Sequence, residues 1–350
     1  MASHRRGATR QPTLDHVAAR AGVGRGTASR VLNGSPQVSP ATRRAVEQAI
    51  SDLGYVPNRA ARTLVTQRAD SVALVVSESQ ERLFGEPFFA GIVRGVSSVL
   101  AGTPMQMWLA MAQSPADRQI VERHLTRQHV DGVLLLSLHD SDPLPLVLAE
   151  RGVPTVLGGR PGRMLRPDLS DGEPRICYVD VDNSGGARAA VEYLLARGRR
   201  AVGVIAGPQD MGVGVARLAG YLDAIEGSGV PVDPKLIAYG DFTVAGGAAA
   251  MRKLLAGRPD LDAVFAASDL MAYGAIRCLQ TLGRRVPQDV AVVGFDDSAI
   301  ARQTEPPLTT VHQSVEEMGR EMARLLLACI SGEPRRSVVL DTHLVRRASA

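Results

Sequence analysis

The chain has 350 residues, of which 45% are hydrophobic and 22% charged. This composition is typical of a globular protein large enough for two or three domains. Three scattered cysteines exclude a disulfide framework, and no apolar run reaches the roughly 18 residues of a membrane span. Because the N-terminus also lacks the apolar stretch of a secretory signal, we expect a cytoplasmic protein with no membrane partner.

Basic residues are concentrated near the N-terminus. Residues 1–69 contain eleven arginines, no lysine and three acidic residues, giving a net charge of +8, whereas the remainder carries −4. A small basic segment before a larger, mildly acidic one is typical of a nucleic-acid-binding module joined to a sensor or enzyme. A solvated basic tail would have the same composition, so the residue pattern must decide.

Two short helices are predicted after a disordered arm, residues 1–12. The first has Thr13 as its N-cap, apolar residues every three or four positions, and Gly22 at its end. A three-residue connection leads to the second helix, over residues 25–32. One face of this second helix is polar and carries arginine: Arg25, Gly26, Ser29, Arg30 and Asn33.

A third helix is predicted from clear start and stop signals. Ser39 is its N-cap, Pro40 occupies the first helical position, and Gly54 ends it. Two helices joined by a tight glycine-containing turn, with the second polar on one face, form the helix-turn-helix pattern. A three-helix bundle with a solvated basic face is the alternative.

The next segment strengthens the DNA-binding interpretation. After Tyr55, Asn58 can cap a helix of under ten residues, which is marginal alone in water and needs a partner or DNA. The run TLDHVAARAGVGRGTASRVLNGSPQVSPATRRAVEQAISDLGYVPNRAARTL, residues 13–64, resembles the DNA-binding headpiece and hinge of the LacI–GalR family of bacterial transcription regulators. In that family the second helix enters the major groove. The resemblance implies that hinge helices of two subunits pair in the minor groove, with Leu64 as an apolar wedge.

The resemblance implies a homodimer, or a higher oligomer, on operator DNA. Gly24 stands where the family has a serine N-cap, and Gly26 lies inside the recognition helix, where glycine costs about 1 kcal/mol relative to alanine. Arg25 opens that helix and is suited to guanine, so we expect a G/C-rich pseudo-palindromic operator. The predicted DNA contacts are Thr13, Arg25, Gly26, Thr27, Ser29, Arg30, Asn33, Ser39, Tyr55, Asn58, Arg59, Ala61 and Leu64.

Strand-like runs alternate with helical segments after residue 70. Such alternation predicts βαβ units and parallel sheets covered on both faces, in which ligands bind beyond the carboxyl ends of the strands. The predicted domains are a helix-turn-helix domain over 13–57, a hinge helix and linker over 58–70, and an effector-binding core over 71–350. The seven runs are SVALVVS, MQMWLAM, DGVLLLSL, VPTVLG, AVGVIAG, DAVFAAS and DVAVVGF.

The residues that follow these runs are aromatic or charged. Phenylalanines follow the first run, Arg160 follows the fourth, and Asp296 follows the seventh. Aromatic faces combined with carboxylate and guanidinium groups suit a polyhydroxylated ligand. The alternative is that the phenylalanines begin a buried helix and the aspartates cap helices.

This region also resembles the family's effector core, a two-lobed α/β fold like that of periplasmic sugar-binding proteins. Segments such as VDVDNSGGARAAVEYL and GPQDMGVGVARLAGY carry the resemblance. Gly159 replaces a frequent aspartate and Ser268 a usual asparagine, and Met211 and Val213 are apolar where purine-responsive members are polar. These departures weaken the case for a purine effector. Within the family the resemblance is to the cellobiose-responsive (CebR-type) regulators of streptomycetes. The effector-binding residues predicted on this basis are Phe88, Phe89, Arg160, Arg217, Phe242, Ser268, Asp296 and Gln313.

An enzyme would need a chemical motif. Neither lysine follows a glycine, which excludes a P-loop, and the chain contains no HExxH and no GxSxG. We therefore predict no catalytic residue, no cofactor and no metal. The predicted function is a transcriptional repressor released by a small sugar, cellobiose or a cello-oligosaccharide. The alternatives are a family member that responds to a different sugar, or a sugar-binding protein or enzyme with no operator.

Overall fold

The computed structural model describes residues 12–32, 35–56, 68–162, 176–334 and 336–350. The chain divides into two compact units, residues 1–69 and 70–350, called the headpiece and the core below. Residues 1–11 of the predicted arm, residue 57, and residues 58–67 of the predicted hinge lie outside the described residues. No helix in the described ranges is both long enough and apolar enough to cross a membrane.

The headpiece contains the three predicted helices, α1 (Leu14–Arg20), α2 (Arg25–Leu32) and α3 (Pro40–Leu53). The predicted caps are confirmed. The Thr13 hydroxyl accepts a hydrogen bond from the His16 backbone N–H, and Ser39 does the same for Thr42. Gly22 and Gly54 both have the positive φ that ends a helix, at 69° and 58°.

Small side chains form the headpiece core. Six residues are buried there: Val17, Ala18, Ala28, Val31, Val46 and Ala49. Leu32, Ile50 and Leu53, three larger apolar residues of α2 and α3, are only half-buried. These three lie at the margin of a core too small to enclose them.

The core alternates strands and helices. Its helices are α4 (Gln80–Gly85), α5 (Pro87–Leu100), α6 (Pro115–His124), α7 (Leu144–Glu150), α8 (Asn183–Ala196), α9 (Gly212–Gly227), α10 (Val244–Gly257), α11 (Asp269–Thr281) and α12 (Val315–Ser331), with 3-10 turns at Pro234–Leu236 and Ala299–Arg302. Its strands are β1 (Ser71–Val76), β2 (Gln106–Met111), β3 (Gly132–Leu136), β4 (Thr155–Gly158), β5 (Cys177–Val181), β6 (Val202–Ala206), β7 (Ile237–Tyr239), β8 (Ala263–Ala266), β9 (Ala291–Asp296), β10 (Thr309–Gln313), β11 (Val338–Leu340) and β12 (Thr342–Val345).

These elements build two lobes, each around a six-stranded sheet. Lobe 1 has the strand order β11-β5-β4-β3-β1-β2, and every pairing in it is parallel. Lobe 2 has the order β12-β10-β9-β8-β6-β7, parallel except that β12 runs antiparallel to β10. Each sheet is covered by apolar clusters on both faces. The predicted fold class is confirmed.

The chain crosses between the lobes three times within the described residues. It leaves lobe 1 at Asp182, between β5 and α8, and returns at Ser314, between β10 and α12. It crosses again at Asp341, between β11 and β12. Within lobe 1, α12 lies so close to α5 that a Cβ atom on Gly95 would meet the Glu316 carbonyl oxygen at 2.1 Å. Glycine is therefore required at that contact.

All seven predicted strand runs are strands. Five further strands, β5, β7, β10, β11 and β12, were not predicted because they are short or partly polar. Strand β10 (TTVHQ) is the clearest case. Its Thr309 and Thr310 are wholly buried, and both hydroxyls are hydrogen-bonded, since that of Thr309 accepts from the Arg347 backbone N–H and that of Thr310 donates to Asp269. A search for apolar runs cannot detect such a strand.

Candidate functional site

Helix α2 presents a polar, positively charged surface. Arg25, Gly26 and Arg30 are exposed, while Thr27 and Ser29 are half-buried beside them. The Arg25 side chain is 71% exposed and lies 3.6 Å from the Asp15 carboxylate. An exposed ion pair of this kind contributes little, so Arg25 can exchange it for a nucleic-acid contact.

The other predicted DNA contacts have structural roles or lie outside the described residues. Thr13 and Ser39 use their hydroxyl oxygens to cap helices. Tyr55 is half-buried against the headpiece core. Asn33, Asn58, Arg59, Ala61 and Leu64 fall outside the described residues, so their placement remains a prediction.

A cavity of about 330 Å³ lies in the cleft between the two lobes of the core. A volume of this size is at the lower end of the range for small-molecule pockets. Seven of the eight predicted effector residues line it: Phe88, Phe89, Arg217, Phe242, Ser268, Asp296 and Gln313. Arg160 lies instead in an adjoining cavity of about 90 Å³, which we call the side chamber.

A hydrogen-bonded cluster from lobe 2 forms the polar wall of the cleft. Arg217 is 4% exposed, and its guanidinium lies 3.6 Å from the centre of the Phe295 ring. It donates to the Asn183 side chain at 2.8 Å and to Oδ1 of Asp296 at 3.3 Å. Gln313 donates to the same Asp296 oxygen at 2.6 Å. Arg217 from α9 and Gln313 from the end of β10 thus hold Asp296, the last residue of β9, at the cavity.

Asp269 lies behind this wall and is wholly buried. Its carboxylate accepts hydrogen bonds from the backbone and hydroxyl of Ser298, at 2.7 and 3.0 Å, and from the Thr310 hydroxyl at 2.5 Å. Burial, and secondly the nearby Asp296 carboxylate, raise the pKa of Asp269. Burial likewise raises the pKa of Asp296, although Arg217 opposes that shift. Asp269 anchors the turn that follows Asp296.

The backbone around the cavity is strained. Four of the five non-glycine residues with positive φ in the described chain line it: Ser137 (54°), Phe242 (64°), Asp296 (119°) and Asp297 (51°). Side-chain-bearing residues rarely adopt this conformation, and such strain is concentrated at ligand sites. The strain is thus a second observation, independent of shape, that favours the cleft as a candidate ligand site.

Aromatic rings face the polar wall. Phe88 is half-buried and packs edge-on against Phe89, with ring centres 5.4 Å apart. Phe89 is only 1% exposed, so it mainly supports Phe88. From lobe 2, Phe242 is 7% exposed. Ser268 both lines the cavity and caps α11 through the Met271 backbone N–H, so its structural and ligand-facing roles coexist.

Sequence reasoning missed the charged residues at the mouth of the cleft. Arg82 bonds to the Glu78 carboxylate at 2.5 Å and to Glu86 at 2.6 Å. Its guanidinium lies 5.6 Å from the Phe242 ring centre, so it bridges the lobes. Burial raises the pKa of both Glu78 and Glu86. The sequence did contain the pattern for this pairing, because Glu78, Arg82 and Glu86 are spaced four residues apart, a spacing at which oppositely charged side chains can pair.

A second contact joins the lobes near this mouth. His139, after β3, lies 2.7 Å from the Asp210 carboxylate, after β6, and the Asp140 backbone N–H donates to the Asp210 carbonyl at 2.8 Å. His139, Asp140 and Asp210 thus form a second polar link between lobe 1 and lobe 2.

An arginine-bearing helix-turn-helix unit joined to a two-lobed core with a polar and aromatic cleft defines a ligand-responsive DNA-binding regulator. Residues 13–58 match the model of bacterial regulatory proteins of the lacI family, and residues 191–350 match the periplasmic binding protein-like domain. The chain belongs to the lacI family. The predicted family membership is thereby confirmed.

Relatives of known function match almost the whole chain. The HTH-type transcriptional regulator CelR of Thermobifida fusca is 58% identical over 342 residues, 97% of this chain and 98% of CelR. The HTH-type transcriptional repressor CytR of Escherichia coli is 33% identical, over 96% of each chain.

Solved structures agree with this assignment. A structure of the CelR–cellobiose complex matches with a TM-score of 0.76 and 56% identity, covering 97% of this chain and all of that one. The lac repressor dimer bound to operator and the anti-inducer ONPF matches with a TM-score of 0.82 and 28% identity, covering 97% and 99%.

Proposed function

We propose that this protein is a transcriptional repressor that binds operator DNA as a homodimer or higher oligomer and is released by cellobiose or a short cello-oligosaccharide. The observation that carries the effector is the 56% identity, over nearly the full chain, to a regulator solved with cellobiose. Binding to chromosomal DNA would place the protein in the bacterial cytoplasm.

The cleft has the chemistry that a β-linked glucose disaccharide needs. The Phe88 and Phe242 rings offer apolar faces to sugar C–H groups from opposite lobes, with Phe89 behind Phe88. Arg217, Asp296, Gln313 and Ser268 offer donors and acceptors to the hydroxyls. Hydrogen bonds to charged groups are the stronger ones, so Arg217 and Asp296 are the main proposed contacts.

The operator-binding surface is α2 together with the predicted contacts around it. Arg25 stands first in the helix and is exposed enough to reach a base edge. A guanidinium can bond guanine O6 and N7 together, which supports a G/C-rich half-site. Gly26 has no protein atom within 4 Å of an added Cβ among the described residues, so nothing inside the headpiece requires glycine there. Close approach of the backbone to DNA supplies a reason.

Release requires the sugar to favour one arrangement of the lobes over another. The chain enters the core at lobe 1, since β1 begins at Ser71, so movement of that lobe is transmitted to the headpiece connection. A 100-fold loss of operator affinity corresponds to about 2.7 kcal/mol of coupling, and DNA must weaken sugar binding by the same factor.

The test begins by selecting bound sequences from a random DNA pool with the purified protein. Operator binding is then measured by fluorescence anisotropy, and sugar binding by calorimetry, with cellobiose, xylobiose, maltose and glucose. We expect a G/C-rich pseudo-palindrome from which cellobiose releases the protein. If maltose or xylobiose binds and cellobiose does not, the effector is wrong while the repressor stands. If no specific sequence is recovered, the repressor assignment fails.

A further inference from the structure

We propose that the side chamber is the subsite for the terminal hydroxyls of the second sugar ring, with Arg160 as donor and Asp180 as acceptor, so that these residues select disaccharides over monosaccharides. This inference rests on the proposed function, because it assumes that a sugar occupies the main cavity.

The two cavities form one continuous space. They share Phe88, Ser137, Met211, Val213, Arg217 and Gln313 as common walls. The side chamber measures about 90 Å³. The main cavity, at about 330 Å³, is more than three times as large, so a sugar ring fits there better than in the side chamber. A monosaccharide therefore belongs in the main cavity, and only a longer sugar extends into the side chamber.

Arg160 is positioned by the protein yet keeps hydrogen-bonding capacity. Its guanidinium lies 5.3 Å from the centre of the Tyr178 ring, and its Nε lies 3.9 Å from Oδ2 of Asp180. That Nε is buried and has no hydrogen-bond partner among the described residues. Although Nε is enclosed, a guanidinium has five N–H donors and this side chain is 31% exposed, so its other N–H groups can donate to a ligand hydroxyl in the chamber.

Asp180 supplies the matching acceptor. Its Oδ1 accepts from the Val181 backbone N–H and the Asn183 amide, both at 2.9 Å, which fixes the carboxylate in place. Oδ2 is the oxygen turned toward Arg160. Asn183 in turn accepts from Arg217, which links the side chamber to the polar wall of the main cavity. A hydroxyl inserted between Arg160 and Asp180 can accept from one and donate to the other.

A second arginine shows which part of this arrangement matters. Arg118 has the same local features, with a buried unpartnered Nε that lies 3.8 Å from the Asp142 carboxylate. Its side chain is 24% exposed, against 31% for Arg160. Arg118 lines neither the main cavity nor the side chamber. The unpaired donor is thus not itself a site, and the adjoining chamber is what distinguishes Arg160.

The test compares Arg160→Gln with the matched control Arg118→Gln. Calorimetry measures binding of cellobiose and of methyl β-glucoside to each full-length variant and to the wild type. We expect Arg160→Gln to weaken cellobiose binding at least tenfold and to change the affinity for methyl β-glucoside by less than twofold. Arg118→Gln should change neither affinity. Asp180→Asn, which removes the charge but not the shape, should weaken cellobiose in the same direction. Circular dichroism and thermal melting verify that each variant is folded.

Two results overturn the inference: unchanged cellobiose affinity in Arg160→Gln, or an equal loss for the monosaccharide. If the wild type prefers maltose, the proposed effector fails, and the same comparison with maltose and methyl α-glucoside still tests the chamber. A wild type that binds no disaccharide overturns both.

Discussion

The headpiece and the core reach their functional surfaces by different routes. In the headpiece, the proposed recognition surface lies on a single eight-residue helix with two exposed arginines, and caps within a few residues fix α1 and α3. In the core, one carboxylate, Asp296, depends on Arg217 and Gln313, which lie 79 and 17 residues away along the chain. A recognition surface can thus be local, whereas the ligand cleft requires the whole fold. Damage to the two should therefore be separable.

The sharpest way to separate them is Arg217→Ala. The change removes a proposed sugar contact and leaves Asn183 and Asp296 without their donor. We expect at least a 100-fold loss of sugar affinity by calorimetry, while operator affinity without sugar stays within twofold. Arg188→Ala, an exposed arginine on neighbouring α8, is the control.

Because truncating a buried charged partner can cost about 3–5 kcal/mol, circular dichroism must accompany this test. Asp296→Asn offers a gentler second variant with the same expected direction. Normal sugar binding in both variants would show that the cleft is not the effector site.

The converse change is Arg25→Ala in the headpiece. Loss of a bidentate base contact should cost about 1–3 kcal/mol of operator binding and relax the preference at one base pair per half-site. Arg20→Ala is the control, since Arg20 pairs with Asp52 at 3.0 Å outside α2. Binding competitions with half-site variants measure the effect. If Arg25→Ala weakens all sequences equally, Arg25 contacts only phosphate.

A third prediction concerns pH and the buried Asp269. Its pKa is raised in the folded state, so folded protein binds more protons than unfolded protein, and stability falls as pH rises through the raised pKa. Asp269→Asn should remove this contribution. The slope of the free energy of unfolding against pH should then be less steep by up to about 1.4 kcal/mol per pH unit. Urea unfolding of the core between pH 5 and 8 measures it.

The opposite sign is expected at Asp289, which serves as the control. Hydrogen bonding to Arg285 lowers the pKa of Asp289, so its contribution is lost only as pH falls into the acid range. Asp289→Asn should leave the slope between pH 5 and 8 unchanged. A slope in Asp269→Asn equal to that of the wild type would contradict the raised pKa.

The smallest expected effect is that of Gly26→Ala. An added methyl group meets no described protein atom, and alanine is favoured over glycine in a helix, so the headpiece should gain about 0.5–1 kcal/mol in stability. If the backbone approaches DNA at this position, operator affinity should fall in the same variant. Thermal melting and anisotropy measure the two effects, and equal or tighter operator binding would mean that Gly26 is merely tolerated.

The same contrast explains what the sequence could predict. Thr13, Gly22, Ser39 and Gly54 were assigned correctly because capping depends on neighbouring residues alone. In α1 the residue that completes the capping box is His16 instead of the usual glutamate, a detail the pattern did not indicate.

The cleft was predictable in part. Residues at strand ends were found because parallel strands bring their carboxyl ends to one edge. The roles of Asp269 and Asp180 were not found, since they depend on partners in other elements, such as Thr310 and Arg160. The positive φ of Phe242 could not be anticipated, because an aromatic residue rarely adopts it, and the φ of Asp296, at 119°, lies beyond the left-handed region in which aspartate is enriched.

The three chain crossings have a consequence for synthesis on the ribosome. The headpiece helices are complete at residue 53. Both lobes, however, require residues 309–345, which supply β10 and β12 to lobe 2 and α12 and β11 to lobe 1. At about 5–20 residues per second, roughly 15–60 seconds separate the two events. During that interval the nascent chain carries a finished recognition helix and no finished sheet. A message that terminates early would therefore yield a product able to present α2 but unable to sense its ligand.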